Sequence, residues 1–290
     1  MRNDWRAAEI FMASVFARAP AVALLFLAYV STAYSDQKPL WEAGLGIGAL
    51  AFPDYRGSDQ TRVYPVPVPY FVYRGDFLKA DRDGVRGEFL NRKYVELNIS
   101  LGATVPVQSN DDTARHGMPN LRPTVEVGPS LQLHVWRLPD DHMKLDIVMP
   151  WRVPITVESS PQVIGWYFAP RLNLDVRDVA GFAGWNFGVG AGPMFAAQKY
   201  HQYFYSVDPR FATADRPAYE AKGGYSGVGF ISALSKRFPN YWVGAYIRYD
   251  SLAGAAFEAS PLVKQRYYVA GGIGIAWMIR ESKRTVEADD

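Results

Sequence analysis

The strongest constraint in this sequence is a period of two held over unusually long segments. In "YVELNISLG" (94–102), Val95, Leu97, Ile99 and Leu101 fall on one face, and Glu96, Asn98 and Ser100 on the other. In "TVEVGPSLQLHVW" (124–136), Val125, Val127, Leu131, Leu133 and Val135 alternate with Glu126, Ser130, Gln132 and His134. In "KLDIVMPWRVPITVE" (144–158), Leu145, Ile147, Met149, Trp151, Val153, Ile155 and Val157 share one apolar face. "IGWYFAPRLNLDVRD" (164–178) sets Ile164, Trp166, Phe168, Leu172, Leu174 and Val176 against Tyr167, Arg171, Asn173, Asp175 and Arg177. Such alternation is the signature of a strand with two unlike faces. Ordinary strands run about five or six residues, whereas a tilted strand needs ~9–11 to cross a bilayer. These segments have the longer reach. Four more, 185–195, 226–236, 241–250 and 267–279, keep the period but fill the second face largely with Gly and Ala.

Composition agrees. Aromatic residues make up 14% of the 290, beside 25 Gly and 20 Pro, a mix suited to pleated strands and turns. A net charge of +2 with no long basic run leaves no footprint for nucleic acid. Cysteine is absent, which removes disulfides, thiolate metal sites and cysteine nucleophiles. At the N-terminus, Arg2, Arg6 and Arg18 precede the apolar run "PAVALLFLAYV" (20–30), and Ala33 and Ser35 stand at −3 and −1 of a cut before Asp36. This reads as a secretory signal peptide over 1–35, too short in its apolar core for a spanning helix. One domain, 36–290, follows.

Connectors are unequal. "PDDH" (139–142), "DVAG" (178–181) and "FPN" (238–240) are tight turns, whereas 105–120, 200–223 and 251–264 are long and polar. Barrels of the bacterial outer membrane alternate short periplasmic turns with long outer loops and carry aromatic girdles at both interfaces. Trp and Tyr residues such as Trp41, Tyr73, Trp136, Trp151, Trp166, Trp185, Trp242 and Trp277 sit near strand ends. A secreted β-sandwich also alternates, but with shorter strands. The expected fold is therefore all-β, an antiparallel transmembrane β-barrel with a signal peptide ahead of it. Twelve segments qualify as strands: 41–51, 64–72, 76–81, 84–90, 94–104, 122–137, 142–157, 164–178, 182–198, 225–237, 240–252 and 266–280. Without the short pair at 76–90 the count is ten.

Ordered motifs also carry a resemblance: "GLGIGALAFPDYRGSD" (44–59), "YPVPVPYFVYRGDFLKADRDGVRG" (64–87), "VELNISLGATVPVQSN" (95–110), "ARHGMPNLRPTVEVGPSL" (114–131) and "FGVGAGPMF" (187–195). Through these the chain resembles the MipA/OmpV outer-membrane proteins, a family named for an MltA-interacting protein. The resemblance implies a barrel in the outer membrane of a Gram-negative bacterium, with membrane lipid around it. It also implies a scaffold that brings together a lytic transglycosylase and a bifunctional murein synthase, without enzymatic activity and without a cofactor. Solute passage and adhesion are further roles within the family. One departure is the end of the chain: "AWMIRESKRTVEADD" runs into a charged tail where such barrels usually close on an aromatic residue.

Three constellations invite chemistry. The stretch "YRGDFLKADRDGVRG" (73–87) gathers Arg74, Asp76, Asp81, Arg82, Asp83 and Arg86, and two of its carboxylates could in principle flank a glycosidic bond. Arg74 and Asp76 share a strand face, "DRDG" is a hairpin turn, and nothing else supplies a substrate groove, so these charges are expected to line or rim the barrel. Arg74-Gly75-Asp76 is too unspecific to mark adhesion. Inward charges Glu96, Glu126, Asp146, Arg152, Arg171, Asp175 and Arg177 would set solute preference if the barrel conducts. The histidines His116, His134, His142 and His201 lack metal-ligand spacing and read as lumen or turn polarity; Ser130 and His134, four apart on one strand, stand ~13 Å apart, too far for proton transfer. "PVPVP" (65–69) reads as a bent strand start or a periplasmic connector, since proline is confined to edges, starts and bulges.

Overall fold

The computed structural model describes residues 37–75, 78–81, 84–92, 94–139, 142–179 and 182–287. The segment expected to be a signal peptide, 1–35, and Asp76, Arg82 and Asp83 lie outside them. The alternating segments form one antiparallel sheet that closes on itself. We number its strands β1 (Trp41–Pro53), β2 (Thr61–Arg74), β3 (Leu78–Asp81), β4 (Gly84–Arg92), β5 (Val95–Thr104), β6 (Thr124–Arg137), β7 (Met143–Thr156), β8 (Tyr167–Phe168 with Arg171–Val176), β9 (Trp185–Ala196), β10 (Gly224–Arg237), β11 (Tyr241–Ser251) and β12 (Tyr267–Glu281). The two pieces of β8 hold a single register against β7 and against β9, so Ala169-Pro170 only interrupts one strand. Proline, lacking an N–H, cannot continue the ladder there. Closure comes from β12 on β1, with Gly274 opposite Gly48 and Ile275 opposite Ile47. This rules out an open sandwich, and among the described residues the strand positions of the wall number twelve.

The alternation sorts the faces. Leu45, Ile47, Phe71, Leu101, Ile247, Ile273 and Trp277 are exposed on the outer wall, where lipid would cover them. Inward positions carry most of the charged side chains and several glycines, with Leu50 and Phe52 among the apolar exceptions. A Cβ at Gly46 would stand 1.8 Å from the Ile275 carbonyl oxygen, so only glycine lets β1 and β12 approach this closely. Beyond β12 the charged tail does not dangle: Thr285–Glu287 pairs antiparallel with Gln37–Pro39, Leu40 N–H donates to Arg284 O, and Ser282 N–H donates to Trp41 O. Residues 37–39 and 285–287 thus lie at the end of the barrel that carries the short turns.

The other end carries the long connectors, and they fold together. Residues 54–60, 105–123, 197–223 and 252–266 build a cap whose hydrophobic core includes Tyr55, Val107, Leu121, Tyr205, Val207, Leu252, Phe257 and Leu262. Phe257, Leu252 and Leu262 are fully buried, each contributing roughly 1.5–3 kcal/mol. Part of the 200–223 connector, expected to be loop, is helix α1 (Gln198–Tyr205). Its His201 and Tyr205, four apart and so on one face, are its buried residues. Tyr205 stacks on Phe257 at 3.6 Å between centroids. Arg115 and Arg216 tie the connectors by donating to the carbonyls of Phe204, Ala114 and His116.

The wall is not uniform. Hairpin β3–β4 is short: β2 meets β3 only at Tyr73 and Arg74, and β4 meets β5 only from Glu88 to Arg92. Above it, β2 from Thr61 to Val72 and β5 from Ile99 to Thr104 have no neighbour on their facing edges among the described residues. "PVPVP" lies inside this β2 edge, neither a strand start nor a periplasmic connector. Asp54 N–H donates to Gln60 O and Arg74 N–H to Leu40 O, which makes the even-numbered residues of β2 the ones bonded to β1. The odd-numbered backbone groups point to the open edge. Pro65, Pro67 and Pro69 therefore delete three donors from a naked edge, a device that keeps such an edge from pairing with another chain.

Candidate functional site

Among the described residues the interior contains four clusters of charge. Nearest the short turns, Glu42 accepts from Arg74 at 3.0 Å and Arg237 at 2.6 Å, so β1, β2 and β10 are joined through the lumen; Glu42 is 3% exposed. Arg74 also donates to Pro39 O. On β6 and β7, Asp146 accepts from Gln132 at 3.0 Å and lies 2.9 Å from His134 Nδ1. Higher, Arg152 donates to Ser100 and to the Tyr167 hydroxyl, the Tyr167 hydroxyl donates to Glu126, and Arg152 stands 3.7 Å from Glu126. Directly under the cap, fully buried Asp250 receives Arg56 at 2.7 Å and Arg248 at 2.8 Å. Arg56, from the β1–β2 connector, also donates to Ser226 O. This triad fastens cap to wall.

Between the Glu126 and Asp250 layers and the cap lies a cavity of about 540 Å³. Leu50, Phe52, Val105, Val107 and Leu121 give it an apolar side, contributed by β1 and the β5–β6 connector. Arg152, Arg171 and Arg248, from β7, β8 and β11, and Arg56 give it a cationic side. A volume of ~300–1,000 Å³ with a few convergent polar groups is that of a small-molecule site.

The cap holds a second buried constellation. His201 lies 2.6 Å through Nε2 from Ser226 Oγ and 2.6 Å through Nδ1 from Lys222 O, with both side chains shut off from solvent. Phe257 packs edge-on against the imidazole. Burial lowers the His201 pKa from its usual 6.5, against the Lys222 carbonyl bond that raises it. Seryl oxygen and imidazole are arranged as in a nucleophile pair, yet neither has a solvent route, so here they lock α1 to β10. Burial likewise raises the Tyr55 hydroxyl and lowers Arg115, consistent with a dry cap.

Of the residues singled out from sequence, Glu96, Glu126 and Asp146 are buried on inward positions. Arg152 reaches Ser100, Tyr167 and Glu126 as above. Arg171 and Asp175 pair across to Val148 and Lys144 of β7 on inward positions, and Arg177 follows β8, its N–H donating to His142 O. Arg74 joins the Glu42 layer. Asp81 and Arg86 lie on β3 and β4, which pair antiparallel with Asp81 opposite Gly84. His201 is cap core, not lumen or turn polarity. Arg56, Arg248, Asp250 and Tyr167 carry more of the interior than the sequence reading assigned them. Arg248 and Asp250, two apart in "YIRYD", had the spacing of one strand face; Arg56 sits in a connector, where no period exists.

The chain is similar to several known proteins. The family model for "MltA-interacting protein MipA" matches residues 45–279. The outer membrane protein OmpV of Vibrio cholerae is 24% identical over 223 residues, covering 75% of this chain and 79% of that protein. Among solved structures, a bacterial polysaccharide outer membrane secretin aligns over 82% of this chain and 99% of that one with 9% identity and a TM-score of 0.39. OprB of Pseudomonas putida aligns over 82% and 94% with 9% identity and a TM-score of 0.37. With closure, outward apolar faces and a family match spanning most of the barrel, the chain belongs to the MltA-interacting protein MipA family and is a β-barrel of the outer membrane.

Proposed function

We propose that this protein is a non-catalytic outer-membrane scaffold whose short-turn, periplasmic end docks a lytic transglycosylase and, with it, a bifunctional murein synthase. The observation that carries this reading is the contrast between the ends of the barrel. The long-loop end is knitted into a cap with its own buried core, a poor mouth for a solute channel. The short-turn end adds a two-stranded sheet, 37–39 with 285–287, that the barrel wall does not need for closure. The family name, taken from an interaction with MltA, supports a transglycosylase as partner. Crosslinking in intact envelopes followed by affinity capture tests it. Both enzymes should be recovered with the full chain, and recovery should fall at least tenfold for a chain ending at Glu281, provided the barrel still resists SDS before heating. Undiminished recovery with that truncation refutes the assigned docking end. Steady conductance in planar bilayers, without enzyme capture, refutes the scaffold reading in favour of a channel whose selectivity the lumen charges set.

A further inference from the structure

We propose that the gap in the wall between β2 and β5 is a lateral window, and that a single-chain anionic amphiphile, a long-chain carboxylate, binds with its head in the arginine cavity and its chain passing toward the bilayer. The window has a complete frame. Hairpin β3–β4 is its lower margin. Across the top, Arg62 donates to Asp111 O at 2.9 Å and Ser58 Oγ to Asp112 at 2.8 Å, tying the β1–β2 connector to the β5–β6 connector. On one side the edge of β2 presents Pro65, Pro67 and Pro69, which have no N–H to offer. An edge meant to be paired would keep those donors; an edge facing hydrocarbon benefits from losing them, because an unsatisfied backbone group in lipid costs several kcal/mol.

The cavity reaches the same margin. Gly102, Ala103 and Thr104 of β5, the other side of the frame, are part of its lining. Its apolar side adjoins β1 and the β5–β6 connector, next to the window; Arg152 reaches from β7 to donate to Ser100 of β5, and Arg171 and Arg248 stand on strands further round the barrel. Apolar residues beside the window, together with arginines that reach from β5 round to β11, match an amphiphile with a negative head. About 540 Å³ is room for one ligand of small-molecule size, which selects a single chain over a diacyl lipid. The scaffold reading plays no part in this argument.

The test uses the folded full chain in lipid nanodiscs and palmitate carrying a diazirine at its methyl end. Photolabel should concentrate on β2 and β5 residues at the window, and unlabelled palmitate should displace it while cetyl alcohol and phosphatidylglycerol do not. Arg152→Gln should raise the half-saturating palmitate concentration at least tenfold, with heat-modifiable migration on SDS gels showing that the barrel is folded. Because the chain has no cysteine, Pro67→Cys with Leu101→Cys can be bridged after folding by bis-maleimides of graded length. Bridging should abolish window labelling, and either single variant should not. Labelling spread evenly over the outer wall, equal displacement by cetyl alcohol or by phosphatidylglycerol, or full labelling after bridging would each overturn the proposal.

Discussion

Replacing Asp250 by Ala removes the one carboxylate that both Arg56 and Arg248 meet beneath the cap. Asp250 is fully buried, and the Arg56 side chain is 14% exposed, so that guanidinium would keep its charge with little water to replace its partner. Breaking a buried pair from one side costs about 3–5 kcal/mol. Arg248, whose side chain is 42% exposed, can recover water, and its share is screened to about 1 kcal/mol or less. The expected loss is therefore near the lower bound, about 3 kcal/mol, over a hundredfold in the folded-to-unfolded ratio. Urea titration in detergent micelles, followed by tryptophan fluorescence, reads it directly. The same logic makes a second outcome compulsory: Arg56→Met, Arg248→Met and Asp250→Leu together leave no charge to strand, and the triple variant should regain most of the loss. A cost under 1 kcal/mol for Asp250→Ala, or a triple variant no better than the single, would refute the view that this triad latches the cap.

Other consequences can be measured as simply. His201 has a folded-state pKa below its usual 6.5, so the unfolded connector binds more protons below that value. Cap stability should be full above about pH 6.5 and fall as the pH drops below it; proteolytic nicking within 197–223 should rise between pH 7.5 and 5, and His201→Gln should flatten that rise. Restoring the edge donors with Pro65→Val, Pro67→Val and Pro69→Val should convert a monomeric species to edge-paired oligomers on size exclusion, and unchanged monomer would show that the prolines do not guard the edge. Gly46→Val would drive a side chain into the Ile275 carbonyl and should cost at least about 3 kcal/mol, seen as loss of the SDS-resistant form.

The wall was legible in the sequence because lipid on one side and a polar lumen on the other impose a strict period of two, and each of the twelve expected segments coincides with a strand to within a few residues. Even the hairpin at 78–92, supported by little more than "DRDG", pairs as expected. The cap was not legible. Its core joins Tyr55, Val107, Tyr205 and Phe257 from four connectors, each too short to show an apolar period of its own. The lumen charges were found by facing, but their partners were not: Glu42 meets Arg237 from β10 and Asp250 meets Arg56 from a connector, contacts that cross the interior instead of following the ladder. The prolines of β2 were noticed and misplaced, because a rule about strand edges does not say which strand lacks a neighbour.

The pairing of Gln37–Pro39 with Thr285–Glu287, next to the β12–β1 ladder, has a kinetic meaning. Every other ladder of the wall except this seam joins strands that are neighbours in sequence, so hairpins can form locally and early. Bringing β1 and β12 together costs the largest loop-closure entropy of any ladder in the wall and is repaid only when it is complete. The seam is thus the expected rate-limiting step of assembly, and the tail strand gives the closing ends additional hydrogen bonds once they meet, slowing reopening more than it speeds closure.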